Sequence, residues 1–119
     1  MELVSASKLR RAQDYAARSR AYGELALELL ARLRVIREVE RQHPLFEKRV
    51  VKNRLYIVVT SNSGLAGAYN ANVLKQLTQA VGIDRADKVG SHVITIGTRG
   101  AQFVRRLRDV NLVSVYSAF

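Results

Sequence analysis

Two glycine turns hold most of the residues that could do chemistry in this chain. The first is SNSGLAGAYN, Ser61 to Asn70, which follows an apolar run and opens a helical pattern. Backbone N–H groups at such a turn can hold a phosphate. A dinucleotide fingerprint needs G-x-G-x-x-G, whereas Gly64 and Gly67 supply a single G-x-x-G. A P-loop closes on Gly-Lys-Ser/Thr, and Ala68-Tyr69 stands there instead, with Lys75 well inside the following helix. The second turn, IGTRG, sets Gly97 and Gly100 around Thr98 and Arg99 and has no metal-holding residue nearby. Gly64 and Gly67 are therefore read as a structural turn that lets helix and strand pack closely. Cysteine is absent, which removes thiolate metal sites, cysteine nucleophiles and disulfides together. His43 and His92 lie far apart with no second ligand beside them, and no acid–base pair is evident. No catalytic residue, metal or cofactor is assigned.

The elements that position these turns follow a clear order. Arg54–Thr60 is β-branched and aromatic and reads as a strand buried on both faces. Asn70 to about Val81 has a helical stripe through Val73, Leu74, Leu77 and Val81. GIDRADKVG reads as a polar connection, His92–Ile96 as a second strand, Arg99–Asp109 as a basic helix and Leu112–Tyr116 as a third strand. Strand, helix, strand, helix, strand predicts an α/β fold, βαβαβ, with a parallel sheet and right-handed crossovers. Three strands are few for such a sheet, which points to part of a larger domain.

Before Pro44 the pattern is different. From Glu2 to Gln42 there is no proline and one glycine, Gly23. Ala12, Tyr15, Ser19, Tyr22, Ala26, Leu29, Leu33 and Ile36 repeat at alternating spacings of three and four, the seam of a coiled coil. About forty residues at ~1.5 Å each make a rod of ~60 Å, against a radius of gyration of ~13 Å for a compact domain of this size. The rod must protrude and needs an external partner, unless it breaks near Gly23 and folds back. The chain thus divides into a coiled-coil helix, 1–43, and an α/β domain, 44–119. No stretch approaches the ~18 apolar residues of a membrane span. The net charge of +10 over 119 residues favours an acidic partner.

Two segments carry a family resemblance. MELVSASKLRRAQ, Met1–Gln13, resembles the N-terminal shaft of the gamma subunit of F-type ATP synthase, which reads close to M-x-M-V-A-A-S-K-x-R-x-A. SNSGLAGAYNANVLK, Ser61–Lys75, resembles that family's S-[DS]-[RK]-G-L-[CA]-G loop and its Asn-containing helix start. HPLFEKRVVKNRLYIVVT and VITIGTRGAQF fit the regions between and after. The resemblance implies a long coiled-coil shaft helix, paired in the family with a C-terminal helix, followed by a partial Rossmann-like domain that binds no nucleotide. The sequence would be an N-terminal fragment, less than half of a typical member.

By the same resemblance the function would be that of a non-catalytic central-stalk rotor, coupling proton flow to ATP synthesis by rotating inside the ring of alpha and beta subunits. The other implied partners are the epsilon subunit and the membrane rotor ring. The location would be peripheral, at the cytoplasmic face of a bacterial plasma membrane. Lys8 and Arg11 match basic shaft positions that face an acidic loop of the beta subunits. Ser63 replaces the loop's usual basic residue and Asn62 the acid before it, so the third contact of that set is altered. Ala66 stands where many members have cysteine. Two other classes compete: a nucleotide-dependent enzyme using Gly64 and Gly67, and a nucleic-acid module whose basic helix tracks phosphates. The latter lacks aromatics interleaved with its basic residues, and no nucleic-acid partner is assigned.

Overall fold

A computed structural model describes residues 2–37, 42–64 and 66–117. The chain forms two compact units, Met1–Arg49 and Val50–Phe119.

The first unit is dominated by one helix, α1, Glu2–Val35, of 34 residues. It runs unbroken through Gly23, where a Cβ would meet nothing within 4 Å. Glycine costs a helix interior roughly 0.5–1 kcal/mol relative to alanine, too little to break one built otherwise of strong helix formers. Arg32 reaches back to Glu28 at 2.8 Å, an exposed i,i+4 pair, and Arg32 and Arg34 place positive charge in the last turn, where the helix dipole favours it. The apolar stripe remains open to solvent: Tyr15 is 71% and Tyr22 78% exposed, and Leu29 also lies at the surface. Past α1, the His43 Nδ1 atom accepts from the Leu45 N–H at 3.3 Å and caps a 3-10 turn, Pro44–Phe46.

The second unit is a three-stranded parallel sheet in the order β1-β2-β3, with β1 Asn53–Val59, β2 Gly90–Ile96 and β3 Val110–Tyr116. Helix α2, Tyr69–Ala86, joins β1 to β2, and α3, Thr98–Val104, joins β2 to β3. The βαβαβ order and the parallel pairing agree with the pattern in the sequence. Val58, Val93, Leu77, Val81 and Val104 form one core between the sheet and both helices, as expected when successive right-handed crossovers run in one direction.

Three local readings are corrected. Segment 54–60 is not buried on both faces. Arg54, Tyr56, Val58 and Thr60 alternate toward the helices, while Leu55, Ile57 and Val59 lie on the other face and are exposed. The polar stretch GIDRA is the last turn and a half of α2. Past the Asp87 cap, Lys88 takes φ 58° while Val89 N–H donates to Asp84 O at 2.8 Å and Lys88 N–H to Arg85 O at 3.2 Å. That closure normally uses glycine. The basic helix is shorter than Arg99–Asp109. After Val104 the chain tightens into i→i+3 turns, Arg106 N–H to Phe103 O and Leu107 N–H to Val104 O, both at 3.0 Å. Asp109, at φ 62°, then reverses it into β3.

The open face of the sheet carries one polar row. His92 lies between Asn53 Oδ1 and Asn111 Nδ2, each 3.0 Å from a ring nitrogen. A Cβ on Gly90 would lie 2.5 Å from Asn53 Oδ1, so the bare glycine leaves room for the row.

Candidate functional site

The two glycine turns meet at the C-terminal ends of β1 and β2, where open parallel sheets hold ligands. Here the turns hold each other. Thr60 N–H donates to Ile96 O at 2.8 Å, which carries the β1–β2 pairing one residue past the strand. The first turn of α3 then presents its unpaired N–H groups, and the β1–α2 loop accepts from three in succession. Thr98 N–H donates to Asn62 Oδ1 at 3.1 Å, Arg99 N–H to Ser61 O at 3.1 Å and Gly100 N–H to Thr60 Oγ1 at 2.8 Å. Thr98 Oγ1 adds a second donor to Asn62 Oδ1 at 3.3 Å. The donors that a phosphate would use at this helix are spent on the chain's own oxygens.

The glycines of IGTRG follow from that closeness. Gly97 sits at φ 107°, and a Cβ there would lie 2.1 Å from Thr60 O. A Cβ on Gly100 would lie 2.9 Å from Thr60 Oγ1. The first loop is tied down separately: Asn70 Oδ1 accepts from Ser61 N–H at 3.1 Å, and its Nδ2 donates to Ser61 Oγ at 2.7 Å. Tyr69 OH donates to Val59 O at 2.9 Å. Gly67 takes φ 58°, and a Cβ on Gly64 would lie 3.4 Å from an Arg99 Nη atom. Lys8 and Arg11 belong to the other unit, exposed on α1, and neither is in an ion pair among the described residues.

At the opposite end of the sheet lies a network the sequence reading missed. Asp84 of α2 is fully buried. It pairs with Arg54, accepts from Tyr56 OH at 2.5 Å and accepts from Ser91 Oγ at 3.2 Å. A signal was present: Leu77, Val81 and Asp84 share one helical stripe, and Arg54 and Tyr56 share the face of Val58. Burial, and then the hydrogen bond to Asp84, push the Tyr56 hydroxyl above the usual tyrosine value. The Tyr56 hydroxyl and the charge of Asp84 raise Arg54 above its ordinary value, keeping the guanidinium firmly protonated. Because Tyr56 ionises later in the folded chain than in the unfolded one, its contribution to stability is whole below the ordinary tyrosine value near 10. It is lost as pH rises through the raised folded value. Urea midpoints measured from pH 8 upward should therefore fall above about pH 10 in the unmodified chain. The Tyr56→Phe variant, weaker at neutral pH, should fall less steeply. Parallel curves would show that Tyr56 is not the titrating group.

No group of three or more potential metal ligands occurs among the described residues. The strand-end arrangement defines a class: a βαβαβ unit whose α3 turn is held by the oxygens of its own β1–α2 loop. Comparison with known proteins gives the family. The sequence model described as "ATP synthase" matches residues 1–118. The ATP synthase gamma chain of Staphylococcus saprophyticus is 39% identical over 105 residues, 88% of this chain and 36% of its own. That of Opitutus terrae is 41% identical over 108 residues, 91% and 34% of the two chains. That of Geobacter metallireducens is 34% identical over 111 residues, 93% and 38%. The chain belongs to the ATP synthase gamma-chain family, and it spans little more than a third of the length of these relatives.

Proposed function

We propose that the chain acts as a non-catalytic central-stalk segment of an F-type ATP synthase, coupling proton flow to ATP synthesis by rotation. The observation that carries this reading is α1: 34 residues of continuous helix whose coiled-coil stripe lies open to solvent. Such a helix is a shaft awaiting a second helix. The α/β unit would be the foot of the stalk, facing the epsilon subunit and the membrane rotor ring, while α1 turns inside the alpha/beta ring. No helix among the described residues is long and apolar enough to cross a membrane, in keeping with peripheral attachment at the cytoplasmic face through the complex. A nucleotide-using enzyme would need Gly64 and Gly67, which form a single G-x-x-G without a dinucleotide fingerprint or a closing Gly-Lys-Ser/Thr, and the neighbouring α3 turn has its amides taken by Thr60, Ser61 and Asn62. Torque needs no chemistry in the shaft. An asymmetric rod shifts each beta subunit between states through contacts that differ among those states.

Lys8 and Arg11 would face an acidic loop of the beta subunits. Exposed pairs are worth only ~0–1 kcal/mol each, so their reversal should tune coupling without abolishing it. With Lys8→Glu and Arg11→Glu in a complete gamma chain, the ratio of proton pumping to ATP hydrolysis should change at low salt and return toward normal as salt screens the new repulsion. Identical ratios at every ionic strength would mean that the two cations are merely solvated.

A further inference from the structure

The outward side of α2 and α3 carries a feature that the stalk reading does not use. Residues 50–119 hold nine Lys and Arg against three Asp and Glu. Of the three acids, Asp84 is buried against Arg54 and Asp109 faces Arg85 at 3.4 Å. Between the two helices runs a groove of about 560 Å³ whose lining includes Leu74, Lys75, Arg99, Phe103 and Arg106 and no carboxylate. Among the described residues, Lys75, Arg99 and Arg106 make no ion pair. Leu74 and Phe103 are half-buried. Arg99 and Phe103 stand four residues apart on one face of α3, Arg106 lies in the tight turn that follows it, and Leu74 and Lys75 line the α2 side. The result is an apolar floor with cations on both banks.

Each part of that layout narrows the ligand. Three unpaired cations around one groove repel each other and call for an anionic partner. A free phosphate would leave the Leu74–Phe103 floor unused. A nucleic-acid strand would need a run of aromatic platforms, and the groove offers only Phe103. An acidic amphipathic helix uses everything: one large apolar side chain for the floor, and carboxylates a turn away on either side for the cations. We propose that the α2–α3 groove is a docking site for an acidic amphipathic helix of a partner protein, seated by one large apolar side chain between Leu74 and Phe103 and held by Lys75, Arg99 and Arg106. The site draws nothing from α1, so it stands whether or not the chain turns as a stalk.

The test uses the full chain and a labelled synthetic helix, stapled to hold its shape, with a central Leu flanked by Glu one turn away on each side. Binding is followed by fluorescence anisotropy. The triple change Lys75→Glu, Arg99→Glu, Arg106→Glu should weaken binding at least about tenfold more than Arg18→Glu, Arg20→Glu, Arg34→Glu, a control on α1 with the same net charge. Replacing the peptide's central Leu by Asn should weaken binding to the unmodified chain by about tenfold, roughly the share of an anchor residue. A peptide with Lys in place of Glu should bind the groove variant and not the control, which guards against loss through misfolding. Equal losses in the two triple variants, or equal binding of the Leu and Asn peptides, would reduce the effect to net charge and overturn the proposal. So would single-stranded RNA or inorganic phosphate losing affinity selectively in the groove variant while the peptide does not.

Discussion

Gly97→Ala should unfold, or nearly unfold, the Val50–Phe119 unit. Gly97 sits at φ 107° and ψ 138°, a region nearly closed to L side chains and costing about 1–3 kcal/mol where one is forced into it. The added Cβ would also lie 2.1 Å from Thr60 O and 2.6 Å from Thr60 C. Backbone atoms cannot swing aside as a lysine tip can, so β1 and the α3 turn would have to separate. Overpacking of that kind costs about a further 1–3 kcal/mol. Separation would also break the hydrogen bonds from Thr98, Arg99 and Gly100 to Thr60–Asn62, and the bond from Gly97 N–H to Tyr116 O. Domains are stable by only about 5–15 kcal/mol in total. Urea unfolding should show most of the stability gone, with the protein largely insoluble on expression. Gly82→Ala is the control: it lies inside α2 with nothing within 4 Å of its Cβ position and should stabilise by about 0.4–1 kcal/mol. Equal midpoints for the two variants would contradict the close approach of the strand ends.

The second large effect is expected at Asp84. The Asp84→Ala substitution strips the acceptor from Tyr56 OH and Ser91 Oγ and the counter-charge from Arg54. Removing one partner of a fully buried ion pair typically costs about 3–5 kcal/mol. Arg54 keeps 44% of its side chain exposed, so water can re-solvate the guanidinium, and that figure is too high here. What remains is the penalty for the buried Ser91 hydroxyl and the half-buried Tyr56 hydroxyl losing their acceptor, about 1–3 kcal/mol. Asp84→Asn keeps the shape and one acceptor oxygen and should fall between the parent and Asp84→Ala. The chain contains no tryptophan, so tyrosine fluorescence in a urea titration, with Tyr56 in the network, is a suitable readout. A stability for Asp84→Ala equal to that of the parent would show that the network contributes no net free energy.

These two sites also mark how far the sequence could be read. The strands and helices around Val58, Leu77 and Val93 were legible because β-branched runs and the helical period reported one buried face. The continuity of α1 was legible because Gly23 stood alone without a turn cluster. Asp84 was hidden because Gly82, Asp84, Arg85 and Asp87 look like a solvated loop. Only its partners, Arg54 and Tyr56, some thirty residues earlier, make the carboxylate a core residue. The second burial face assigned to β1 was wrong because residue type records what a strand can bury, and both helices lie against one side. Gly97 and Gly100 were visible as a turn, but the amide-by-amide fit of Thr60, Ser61 and Asn62 onto α3 depends on the register of β1 with β2. That register follows from distant pairing, which a local pattern does not encode.

The central claim is that this chain turns as part of a stalk rather than binding a nucleotide of its own. The most direct measurement is rotation. Residues 1–117 would replace the matching segment of the Staphylococcus saprophyticus gamma chain in a reconstituted F-type complex immobilised through its alpha/beta ring, with a probe on the α/β unit. The account predicts that the hybrid assembles and that the probe turns in one direction when ATP is supplied. A folded hybrid that stays outside the ring, or one that enters it and remains still while ATP is hydrolysed, would contradict the account.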